Sequence, residues 1–132
     1  MNIFEKCKNT KHQGNVGVSI AITKLTQKGC PILLPFGETK DYDLVFEEDE
    51  VLKKVQVRTT SERNKNKNED FIVHLRVMGG NRSFHTAKPF NNRSVDYLFV
   101  LTNDNTSYLI PSDKIKAKTY LTLNETMSIF KI

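Results

Sequence analysis

Between Asp41 and Thr59 the chain reads DYDLVFEEDEVLKKVQVRT, and this stretch holds the residues best placed to do chemistry. Tyr42, Leu44 and Phe46 alternate with Asp41, Asp43 and Val45; after four acidic residues, Val55 and Val57 alternate with Gln56 and Arg58. A period of two predicts two strands, with Asp41 and Asp43 on one face of the first and Gln56 and Arg58 on one face of the second. Carboxylates and an amide oxygen are ligands for a hard cation, and a guanidinium is a clamp for a phosphate. The hydrophobic residues of both strands are expected on the opposite face, under a core. Glu47 to Glu50 is expected to form the turn.

Other residues are less suited to chemistry. His12, His74 and His85 lack the spacing of a metal site. Cys7 and Cys30 have no base to make either a nucleophile, and two cysteines are too few for a disulfide framework; both are expected as reduced thiols. The sequons at Asn81, Asn92 and Asn124 carry no weight in an intracellular chain.

The elements that must position the hairpin follow from the rest of the chain. Asn9 or Thr10 can cap a helix running to about Lys28, with Gly29 as its stop. Val18, Ala21, Ile22 and Leu25 form its apolar stripe, and Gly14 and Gly17 suggest a close approach to its backbone. A short strand is predicted over Ile32–Leu34, and a third long strand over Phe71–Met78. Residues 61–70, SERNKNKNED, have no apolar side chain and read as a mobile surface loop; a second loop spans Gly79–Asn92. Tyr97–Leu101 and Ser107–Ile110 are predicted to pair about Asn103-Asp104-Asn105, with a further strand near Tyr120–Leu123. One helix, three strands and an added hairpin imply an α/β chain of α+β type, with the N-terminal helix packed on a mixed sheet.

The 132 residues suit one domain, 1–132, and 27 % charged against 38 % hydrophobic residues excludes a disordered chain. A net charge of +5 favours an anionic partner. No apolar leader and no membrane span are legible, so a cytoplasmic, intracellular protein without a membrane partner is expected.

The pieces TKHQGNVGVSIA, PFGETKDYDLVF, VQVRTT, SVDYLFVL and TSYLIPSDKI, in that order from Thr10 to about Leu123, resemble the PD-(D/E)XK nuclease superfamily. Within it they are most similar to the small intron-encoded homing endonucleases of bacteria. The resemblance implies a restriction-endonuclease-like core and metal-dependent hydrolysis of double-stranded DNA. It also implies Asp43 and Gln56 as ligands of a magnesium ion, with a helix glutamate and a lysine completing the site. At those last two positions this chain has Val18 and Arg58. Asp41 is the nearby carboxylate that could substitute, so Mg2+ is expected to bind weakly. Phosphate contacts are expected from Arg63, Lys65, Lys67, Arg82, Lys88 and Arg93. One site per chain implies a homo-oligomer, dimer or tetramer, for cutting both strands. Two readings stand: an endonuclease weakened by its substitutions, and a non-catalytic DNA- or protein-binding module on the same fold.

Overall fold

The computed structural model describes residues 1–37, 41–66, 68–78, 87–88 and 90–132. Helix α1 spans Thr10–Gln27. The Asn9 side chain caps it by accepting from the His12 N–H at 2.8 Å. At the other end Gly29 takes φ +86°, and the N–H groups of Gly29 and Cys30 return to the carbonyls of Thr26 and Leu25. This closure satisfies two helix carbonyls and needs a residue free to adopt positive φ.

The strands β1 (Ile32–Leu33), β2 (Leu44–Glu48) and β3 (Val51–Thr60) are antiparallel neighbours. The β2–β3 turn is narrower than the acidic run. Only Asp49 and Glu50 form it, both at positive φ (52° and 65°), while Glu47 and Glu48 stay in β2. Two successive positive φ values match the twist of paired strands, which is why so short a turn suffices.

The predicted third long strand is broken. It divides into β4 (Phe71–His74) and β5 (Val77–Met78), with Leu75 and Arg76 between them, and β5 pairs with β6 (Ala87–Lys88). The strands β7 (Tyr97–Thr102) and β8 (Ser107–Pro111) form the expected hairpin, and β9 (Tyr120–Leu123) the expected late strand. Strand β4 leaves the main sheet altogether and pairs with β9. The main sheet is ordered β1-β2-β3-β7-β8, antiparallel except for the parallel β3–β7 pair, which runs from Val55↔Tyr97 to Thr60↔Thr102.

Two apolar layers cover this sheet. On the helix side Ala21 and Leu25 pack with Leu44, Phe46, Val55, Val57, Phe99 and Leu101. On the far side Leu98, Val100 and Ile110 pack with Phe71 and Val73 of β4 and Leu121 and Leu123 of β9. Tyr42 departs from its expected face: it packs with the far layer, not with Leu44 and Phe46, and the Lys54 ammonium lies 5.5 Å from its ring centre. It precedes the first ladder residue, so strand alternation does not govern it. The buried row of α1 is Gly17, Ala21 and Leu25, with Val18 and Ile22 half-buried on its flank. Small residues at 17 and 21 let the helix settle close to β3. No helix among the described residues is long and apolar enough to cross a membrane.

Candidate active site

The ladder between β2 and β3 ends at Leu44↔Val55, yet β3 continues for five residues beyond it. Its remaining backbone neighbour there is β7. The Val57 N–H on the open side therefore needs an acceptor, and the Asp43 carboxylate supplies one, with Oδ2 at 2.7 Å. The Asp43 N–H donates in turn to the Val55 carbonyl at 2.8 Å. A carboxylate is thus pinned where the two strands part. Asp41 does not share this arrangement: it is exposed, on a bend ahead of β2.

Arg58 lies close enough to Asp43 for their charges to act on each other. Burial raises the Asp43 carboxyl above its ordinary value, against the opposing pull of the Val57 N–H and the Arg58 charge. Burial also lowers the Arg58 guanidinium, and the Asp43 charge opposes that shift. For both groups desolvation outweighs the attraction between them. The Arg58 Nη1 donates to the carbonyl of Val57 at 3.3 Å, which folds the side chain back along its own strand.

Gln56 is buried on the strand face it shares with Arg58, beside Leu98 and Val100 of β7. Val57 and Thr59 point the other way, to α1. Asp43 and Arg58 are brought together, with Gln56 on the same strand. Val18 packs half-buried with the helix-side layer, which includes Val55 and Val57 of β3.

A divalent cation would find one carboxylate and one amide here. Among the described residues no three His, Cys, Asp or Glu side chains converge. This donor set fits a magnesium ion that retains waters and takes further oxygens from a substrate phosphate, and does not fit a closed protein cage.

Of the residues expected to meet phosphate, Lys65 and Arg93 are exposed. Arg63 is committed locally: its guanidinium lies 3.8 Å from the Phe71 ring centre and donates to the Glu69 carbonyl at 2.9 Å. The loop it belongs to is closed by Asn64 N–H to Asp70 carbonyl, 2.8 Å. Lys88 falls in β6. Lys67 and Arg82 lie outside the described residues, as does His85. His12 accepts from the Lys8 N–H, and His74 pairs with Glu62 on the surface, so neither is turned to the site.

One contact escaped the sequence reading. The Gln13 Nε2 donates to the Thr59 Oγ1 at 2.9 Å, across 46 residues. Its signal was present: Gln13, Gly17, Ala21 and Leu25 stand four residues apart and share a helix face.

With this geometry in hand, the chain can be set beside known proteins. The sequence profile of the PD-(D/E)XK endonuclease family matches residues 8–128. The structure is similar to that of I-Ssp6803I, a bacterial homing endonuclease, at TM-score 0.74 and 27 % identity, covering 91 % of this chain and 81 % of that one. MepB aligns at TM-score 0.42 and 14 % identity over 80 % of this chain and 78 % of its own, too distant to bear on the site. No individual curated protein sequence matches. The mixed sheet backed by its N-terminal helix is the restriction-endonuclease-like fold, and the chain belongs to the PD-(D/E)XK endonuclease family.

Proposed function

We propose that this chain is a homing-type endonuclease domain that hydrolyses phosphodiesters of double-stranded DNA with magnesium, slowly, because Val18 and Arg58 replace a glutamate and a lysine. The observation that carries this reading is the Asp43 carboxylate, pinned by Val57 within the field of the Arg58 guanidinium. Asp43 and Gln56 would hold the ion, with Asp41 reaching it only if the bend ahead of β2 moves. The ion would supply Lewis-acid polarisation of the phosphoryl group and a more acidic bound water.

Arg58 keeps a positive charge near the scissile phosphate and can offer it two parallel donors. A guanidinium holds its proton at neutral pH, so Arg58 stabilises charge and does not accept the proton of the attacking water. The Val57 N–H aims the Asp43 carboxylate and favours its charged form, opposing the burial that favours the neutral one. Each chain has one such site, so cutting both strands calls for a homo-oligomer or two successive encounters. Lys65 and Arg93, with Lys67, Arg82 and Lys88, are assigned to phosphate contacts.

The test is nicking and linearisation of supercoiled plasmid with magnesium and with manganese. Metal-dependent cleavage that Asp43→Ala abolishes supports the proposal. The small donor set favours a second reading, a DNA-binding module without catalysis. Binding to duplex without cleavage under either metal would select it.

A further inference from the structure

Beyond Val55, β3 carries Asp43 on one side and Arg58 in its own sequence, yet it has lost β2 as a neighbour. What fixes this stretch from above is α1. Gln13 heads the helix row that faces the sheet, and its Nε2 donates to the Thr59 Oγ1 at 2.9 Å. One turn later Gly17 approaches so closely that a Cβ there would lie 2.7 Å from Thr59 Cγ2 and 3.0 Å from Val57 Cγ1. Val57 and Thr59 flank Arg58, and Val57 N–H holds Asp43. The helix thus grips the residues on either side of the arginine, and the nearer of them orients the carboxylate.

We propose that Gln13 is a positioning residue for the candidate site: its bond to Thr59 holds the Val57–Thr59 backbone and so sets the aim of both Asp43 and Arg58. The proposal rests on the reading of Asp43 and Arg58 as that site. Reaction rates respond to small displacements of aligned groups, a misplacement of about 1 Å costing on the order of a hundredfold. A neutral amide suits the task because it anchors the strand without adding a third charge beside the half-buried pair. Thr59 suits it because a hydroxyl can accept from Gln13 while its methyl fills the space over Gly17.

The test uses the full chain, labelled with nitrogen-15 and free of DNA and metal. Gln13→Leu removes the donor at similar bulk, and Thr59→Val removes the acceptor. Each should speed amide exchange at Val57, Arg58 and Thr59 roughly two- to tenfold, the range of one net hydrogen bond. The amides of β8 should stay unchanged. The double variant should be no worse than either single, because both remove one bond. Gln13→Glu, which can accept from the Thr59 hydroxyl, should keep the exchange protection that Gln13→Leu loses, though it adds the charge that the amide avoids. If Gln13→Leu does not fold, Thr59→Val decides alone. Unchanged exchange at Val57, or an equal rise at every amide of the sheet, would overturn the positioning role. These measurements need no catalysis, so they stand apart from plasmid cleavage. Cleavage that survives Asp43→Asn would overturn the site reading instead.

Discussion

Gly17→Ala isolates how tightly α1 is seated on β3. Elsewhere in a helix this change removes a flexible residue and stabilises by about 1 kcal/mol. Here the new Cβ would lie 2.7 Å from Thr59 Cγ2 and 3.0 Å from Val57 Cγ1. Neither neighbour gives way freely: both are β-branched, and rotating Thr59 would break its bond to Gln13. Forcing a methyl into a packed contact costs about 1–3 kcal/mol. Subtracting the helix gain leaves a net loss of roughly 0–2 kcal/mol. With an m-value of about 2 kcal/mol/M, the urea midpoint falls by up to roughly 1 M at constant slope. Thr59→Ser deletes the clashing methyl and keeps the hydroxyl, so it should recover much of the loss in the Gly17→Ala background and cost stability in the wild type. An interaction energy of about 1 kcal/mol is the expected signature. Gly14 is the control: nothing lies within 4 Å of a Cβ there, and Gly14→Ala should stabilise. A Gly17→Ala protein as stable as Gly14→Ala, or a Thr59→Ser cost equal in both backgrounds, would refute the reasoning.

Three further outcomes are expected. Because burial raises the Asp43 pKa in the folded state, the fold retains that proton longer than the unfolded chain, and stability falls as pH rises from the unfolded value through the folded one. Asp43→Asn should flatten this fall and be more stable at neutral pH while losing cleavage; urea titrations from about pH 3 to about pH 7 measure it. Arg58→Lys with Val18→Glu should raise metal-dependent plasmid cleavage by more than the product of the single effects, since groups of one site act together. If the double variant folds and neither cleaves nor melts higher with magnesium, the roles assigned to positions 18 and 58 are wrong. Duplex binding should weaken with salt, the logarithmic slope losing about 0.9 for each phosphate contact removed by Lys65→Ala or Arg93→Ala. Arg63→Ala should instead destabilise the Glu62–Phe71 loop, because its guanidinium is spent on Phe71 and Glu69.

Local chemistry made several elements legible. Asn9 and Gly29 mark both ends of α1, and alternation finds β2, β3 and the β7–β8 hairpin. The strand that Asp43 precedes and the strand that carries Gln56 and Arg58 are therefore readable. What alternation could not give was pairing across long separations. Strand β7 is apolar on both faces, buried from Leu98 to Thr102, so its sequence does not say which strands lie beside it. The apolar run from Phe71 to Met78 satisfies a strand pattern equally well in the main sheet or against β9, and tertiary packing chose β9. The bend before β2 was hidden for a different reason. Asp43 leaves the ladder to serve the Val57 N–H, a need that arises only once β3 outruns β2.

The parallel pairing of β3 with β7 also orders events in time. The β2–β3 hairpin closes over two residues, whereas β7 begins 37 residues after β3 ends, a separation that adds loop-closure entropy but only slowly with length. During synthesis, β3 is made well before the strand that covers its second edge. Until Tyr97–Thr102 emerges, the apolar edge of β3 is open to any other extended segment, including its counterpart on another nascent chain. The intervening stretch can lengthen or shorten between relatives at small energetic cost, but each added residue prolongs that exposure. Delaying synthesis just ahead of Tyr97 should therefore increase aggregation of this chain, whereas the same delay after Pro111 should not.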